Sequence, residues 1–187
     1  MRKFFIGSLA LGIVMVLAAS SSAQDRRRRQ PHTGSEAIGF EVGAFVPNDD
    51  TFNSGLLVNG LFEYYVRPRV SLRTEFGLTD PGHTREPVDS LRQVPLRLDV
   101  NYNWEGGVWH PFVGAGVGAY FLRNKDNGVP FGNTYTEPGV NLGGGLEYFL
   151  TRRVTLKGEA RYQRIDSLPG GPDPSGWALT LGMKRYY

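Results

Sequence analysis

The stretch Val154–Gln163, VTLKGEARYQ, decides how the chain reads. Val154, Leu156, Gly158, Ala160 and Tyr162 share one parity, and Thr155, Lys157, Glu159, Arg161 and Gln163 share the other. Successive side chains of a β-strand point to opposite faces, so this is a strand with one apolar and one charged face. Two arrangements satisfy the pattern. In a soluble sheet the charged face meets water. In the inverted arrangement the apolar face meets lipid and the charges line a closed lumen. The flanking sequence has to choose.

The alternation continues in both directions. Gly139–Phe149 sets Val140, Leu142, Gly144, Leu146 and Tyr148 against Asn141, Gly143, Gly145, Glu147 and Phe149, and a short Thr151-Arg152 turn joins it to Val154. Trp109–Leu122 sets Val113, Ala115, Val117, Ala119 and Phe121 against Phe112, Gly114, Gly116, Gly118 and Tyr120. Arg92–Trp104 alternates in the same way, with Pro95 on the polar parity. A proline has no N–H to give the ladder, which predicts a bulge or a late strand start there. Ala37–Val46, Leu56–Val66, Arg69–Leu78 and Gly176–Tyr187 complete about eight strands of roughly ten residues, the length a tilted strand needs to cross a bilayer. Short turns (Arg67-Pro68, Glu105-Gly106-Gly107, Thr151-Arg152) alternate with long loops opened by Pro47-Asn48-Asp49-Asp50, Thr79–Leu91, Asn124–Glu137 and Ile165–Ser175. An even strand number puts both termini on the side of the short turns.

A chain of 187 residues suggests one domain. Arg2 and Lys3, the apolar run Phe4–Ala19 and the small residues Ser20–Ala23 read as a secretory signal peptide cut near Ala23. A retained anchor is the alternative, but the run is short for a spanning helix. With Arg2 and Lys3 removed, the 21 basic residues fall nearly level with the 18 acidic ones. Residues 24–35 form a flexible basic leader, and 36–187 form the barrel domain. Arg26–Arg29 has no interleaved aromatic residues, so it reads as a solvated tail, and no nucleic-acid partner is expected. The absence of cysteine means that an exported chain is stabilised by something other than disulfides.

Three patterns favour lipid on the outside. On the apolar parity, Tyr64, Tyr102, Trp104, Trp109 and Tyr148 lie beside the short turns, and Phe76, Phe121, Tyr162 and Trp177 lie beside the long loops. Two aromatic belts around an aliphatic band match the two membrane interfaces. The polar parity carries Glu41, Glu63, Glu75, Asp99, Glu147 and Glu159 against Arg73, Arg97, Lys157, Arg161 and Lys184. Near balance is what a narrow lumen requires, although a solvated face of mixed charge balances too. The same parity is rich in glycine, which a small closed barrel uses to fit short residues against long ones. The third pattern is the terminus Thr180–Tyr187, TLGMKRYY, which resembles the C-terminal assembly signal of outer-membrane barrels, with Gly182 and the terminal Tyr187 in the matching places and Arg185 departing from it.

With PFVGAGVGAYF (111–121), GVNLGGGLEYFLTRRVTLKGEARYQ (139–163) and the aromatic terminus in view, the chain resembles the small outer-membrane β-barrel domain family of OmpA- and OmpX-type barrels. The resemblance implies an all-β, eight-stranded, antiparallel up-and-down transmembrane barrel in the outer membrane. It implies outer-membrane lipids and the barrel-assembly machinery, met through the last strand, as partners, and a monomer. The expected function is structural or surface-interacting and non-catalytic, with little or no pore, because side chains fill an eight-stranded interior. A lipid-modifying outer-membrane enzyme is one alternative, with Arg161–Ser167 in the comparable place but Arg164 where a histidine is wanted. A lipocalin-like, ligand-binding barrel soluble in the periplasm is another. His32, His83 and His110 have no serine and carboxylate at evident spacing, so no catalytic residue is expected. No cofactor or metal is expected either: Asp49, Asp50 and Asp80 read as turn formers, and Gly143-Gly144-Gly145 lies inside a strand rather than before a helix.

The inverted arrangement predicts that unboiled protein in detergent migrates differently from boiled protein on a denaturing gel. Identical migration of the two samples would show that no lipid-facing barrel had formed.

Overall fold

The computed structural model describes residues 31–82, 90–104, 107–126, 129–130, 132–166 and 173–187. The signal peptide, the Arg26–Arg29 run and His83 lie outside the described residues. Nine strands follow in chain order: β1 (Glu36–Pro47), β2 (Gly55–Arg67), β3 (Val70–Thr79), β4 (Ser90–Asn103), β5 (Trp109–Asp126), β6 (Val129–Pro130), β7 (Tyr135–Phe149), β8 (Val154–Ile165) and β9 (Gly176–Tyr186). Neighbours pair antiparallel in the order β4-β3-β2-β1-β9-β8-β7-β5, and a β4–β5 pairing closes the ring into an eight-stranded barrel. The two-residue β6 folds back on the outer end of β5 and takes no part in the ring.

Closure turns sequence parity into inside and outside. The outward side chains are apolar and exposed: Leu56 69%, Leu181 68%, Phe76 61% and Leu142 61%. The inward ones include charged groups out of contact with solvent: Asp99 0%, Arg73 1% and Lys184 1%. A water-soluble barrel would have these faces exchanged, so the inverted arrangement holds and the lipocalin-like alternative falls.

Several strands run further than their periodicity predicts. Part of the expected Asn124–Glu137 loop is strand, since β5 reaches Asp126 and β7 begins at Tyr135. Pro95 causes neither a bulge nor a late start. β4 begins at Ser90, and Pro95 stays in register with Tyr120 of β5. On the β3 side the pairing lapses between Phe76↔Leu96 and Thr79↔Gln93, and it resumes without a shift. The missing N–H therefore opens the ladder locally without displacing it. The observed irregularity lies in β2, where the register shifts between Tyr65 and Arg67 just before the turn. His110 is the second residue of β5 and is buried.

Inward glycines mark close approach. A Cβ on Gly145 would run into the carbonyl oxygen of Gly158 on β8, with the Phe112 ring 2.8 Å away. On outward Gly60 the nearest atom to such a Cβ is 4.0 Å away. Gly145→Ala is expected to destabilise the barrel by more than about 2 kcal/mol and Gly60→Ala by no more than about 0.5 kcal/mol. Urea unfolding midpoints in lipid vesicles measure both.

Candidate functional site

The lumen gathers the inward parity of all eight wall strands. At mid-height Arg73 on β3 is the hub. Its Nη1 and Nη2 donate to the two oxygens of Glu159, on β8 across the lumen, at 3.0 and 2.9 Å. Its Nε lies 2.8 Å from Glu75 Oε1, and Nη2 lies 3.6 Å from Asp99 Oδ2. Arg161 bridges the same acids, with Nε donating to Glu159 Oε1 at 2.7 Å and Nη1 3.1 Å from Asp99 Oδ2. Arg161 also donates to Asn141. Arg97 pairs with Glu75, and Lys157 pairs with Glu41 and Glu159. Thr180 Oγ1 donates to Glu41 Oε2 at 3.2 Å. The Phe112 ring meets Arg73 at 5.6 Å and Lys157 at 5.3 Å, both within cation–π range.

The register explains how so many long side chains fit. Asp99 stands opposite Gly116, Arg97 opposite Gly118, Arg161 opposite Gly143 and Glu159 opposite Gly145. Glu41 and Lys157 both face Gly182 from its two sides, and Lys184 faces Gly39. Each glycine vacates the space that its charged cross-strand partner fills.

A second cluster lies toward the short-turn end. Lys184 pairs with Glu63 and Glu147. Tyr186 Oη donates to Glu147 Oε2 at 2.8 Å and lies 3.2 Å from Tyr65 Oη. Ser71 and Asn101 donate to Glu63. Below it, Ala37, Tyr65, Phe149 and Tyr186 form an aromatic floor, with the His110 ring 4.7 Å from that of Phe149. At the long-loop end, Phe52 from the first loop joins Leu91, Tyr120, Leu122 and Ile165, beside a group of Phe45, Leu57 and Ala178. The lumen is thus layered, with paired charge between an aromatic floor and an apolar roof.

All ten residues of the expected charge network are buried in this lumen, together with Lys184. Glu41, Glu75 and Glu159 come close enough together to suggest a cation site. Lys157, Arg73 and Arg97 already engage those carboxylates, so the protein's own cations meet the charge. Asn141, Thr180 and Ser71 complete the network; their inward parity was readable but had not marked them out. The roof was harder to foresee, because Phe52 sits in a loop with no periodicity.

Outward aromatics pair at both ends: Tyr102–Trp104 at 5.0 Å and Trp109–Tyr148 at 4.6 Å by the short turns, Tyr162–Trp177 at 5.3 Å by the loops. Phe76 and Phe121 are exposed on the same wall, as is Tyr64. Phe40 and Phe62 also face outward, in the middle of their strands, so the aliphatic band is not free of rings. Gly182 lies inward beside Glu41, and the exposed Tyr187 is tied back through its N–H to the Glu36 carbonyl at 2.9 Å. On the outer rim Asp80 accepts from Arg92 at 3.2 and 3.1 Å and from Lys125 at 2.8 Å. Partial burial opposes the Asp80 charge, but these donors outweigh it and hold the carboxyl below its usual range.

Known proteins agree with this geometry. Neisserial surface protein A superposes with a TM-score of 0.66 at 13% identity, covering 82% of this chain and 96% of that one. The outer membrane protein OprG of Pseudomonas aeruginosa gives 0.67 at 16% identity, covering 84% and 98%. Ail, the attachment invasion locus protein of Yersinia pestis, gives 0.55 at 12% identity, covering 82% and 99%. Among curated protein sequences nothing matches the chain significantly. At these identities the structures establish the fold. The family assignment comes from the sequence model described as "Outer membrane protein beta-barrel domain", which matches residues 8–184. The chain belongs to the outer membrane protein beta-barrel domain family and so resides in the outer membrane.

Proposed function

We propose that this barrel is a non-catalytic structural and surface-interaction protein that conducts little or nothing, is exported with cleavage near Ala23, and works as a monomer. One observation carries the reading: the lumen is filled by mutually paired charges under an apolar roof. Arg73 alone reaches three carboxylates, one on its own strand, one on the neighbouring β4 and one across the lumen. An ion entering would have to displace such pairs, at a cost of several kcal/mol for each charge left unmatched.

With the interior committed to stability, interaction falls to the outer loops and rim, where binding residues on a rigid scaffold concentrate. The names of two structural neighbours, a surface protein and an attachment invasion locus protein, agree with that assignment. The positions of two histidines support the absence of catalysis. His32 contacts the neighbouring Thr33 carbonyl near the chain start, and His110 lies 3.2 Å from the Gly107 carbonyl at the short-turn end. Arg164, in the place where a lipid-modifying enzyme would want a histidine, is exposed on the outward parity. Outer-membrane lipids surround the wall, and the barrel-assembly machinery engages the last strand, where Gly182 and Tyr187 stand. Nucleic acid and cofactors have no part in the reading.

Planar-bilayer recording tests it: the wild-type protein is expected to show no large, stable channels, and such channels would refute the filled lumen. Arg73→Ala, which takes one cation away from Glu159, Glu75 and Asp99 and leaves the lumen with a surplus of buried negative charge, is expected to cost about 3–5 kcal/mol in urea unfolding and to raise the frequency of small conducting events.

A further inference from the structure

A groove of about 800 Å³ crosses the outer wall. Thr74, Leu98, Val117, Val140 and Arg164, which line it, are successive cross-strand partners over β3, β4, β5, β7 and β8. Small Ala119 lies beside this row and deepens it. Four strand spacings make the row about 19 Å long. It runs at right angles to strands that tilt by about 45°, so it climbs about 13 Å through the membrane. That is close to the ~15 Å hydrocarbon depth of one leaflet. The direction is fixed by position along the strands: Thr74 is the fifth of the ten residues of β3, at mid-strand, and Arg164 is the penultimate residue at the outer end of β8. The groove therefore starts at mid-membrane among aliphatic side chains and ends at the outer interface on a charged residue.

Two charges stand at that upper end. Asp166 follows Arg164 on the same parity, roughly 6.6 Å further along the chain, and both line the groove and are exposed. Neither makes an ion pair or side-chain hydrogen bond with another described residue. A cation and an anion side by side, both open to the head-group layer, complement a head that carries a phosphate and an ammonium. A phosphate head without an amine would gain Arg164 but face Asp166 unpaired. We propose that the groove holds one acyl chain of a phospholipid with an amine-bearing head, its phosphate on Arg164 and its ammonium on Asp166.

Full-length protein folded in a neutral detergent, offered phosphatidylethanolamine and phosphatidylglycerol of matched chain length, tests this by native mass spectrometry. One phosphatidylethanolamine is expected to stay bound per barrel, with phosphatidylglycerol retained about tenfold less, the effect of one charge-assisted contact. Arg164→Gln and Ala119→Trp are each expected to lower phosphatidylethanolamine retention about tenfold. Asp166→Asn should erase the preference between the two lipids. Val42→Trp, on the outward face of β1 away from the groove, should change nothing. Equal retention of both lipids by the wild-type protein overturns the proposal. So does full retention by the folded Arg164→Gln and Ala119→Trp variants.

Discussion

A strand in hydrocarbon has no water to bond its open edge, so every backbone N–H and C=O must find a partner within the sheet. The β4–β5 seam meets that demand here. It joins strands at the two ends of the sheet over a continuous register from Ser90↔Lys125 to Asn103↔Phe112. Without it, the strands flanking the seam would present raw edges to lipid. With it, the chain becomes a cylinder and the parity of every strand acquires a direction.

Closure on eight strands also makes the interior narrow, and narrowness governs what can be placed there. Arginines and lysines can enter such a lumen only if each meets an acid and each has room. The first condition is met by the Arg73–Glu159–Arg161–Asp99 web, the second by glycines standing opposite the long side chains. Space and charge are thus solved by the same cross-strand pairs. The apolar roof and aromatic floor shield these pairs from water, which strengthens each of them and raises the cost of leaving any one unmatched.

Much of this was legible in the chain. The period-two alternation of VTLKGEARYQ and its seven counterparts defined the wall strands, and the spread of short and long connections defined the two ends. Pro95 misled, because a missing N–H is visible in sequence while the surrounding register that tolerates it is not. Phe45, Leu57 and Phe112 lie on the polar parity, yet they serve as lid and ring platform rather than as exceptions to the pattern. The outward Phe40 and Phe62 likewise show that belts are a tendency of the strand ends rather than a rule for the middle.

By itself, then, the sequence determined which residues share a face, how many strands form the wall, and that six acids and five bases of the inward parity nearly balance. Alternation and charge are local properties, written residue by residue. Only the tertiary structure decided which acid meets which base: Arg73 and Glu159 are 86 residues apart and lie on strands that do not neighbour each other. It likewise decided that five outward residues on five strands form one rising row. Both depend on register and on closure, and a register is fixed only when all the strands have found their neighbours.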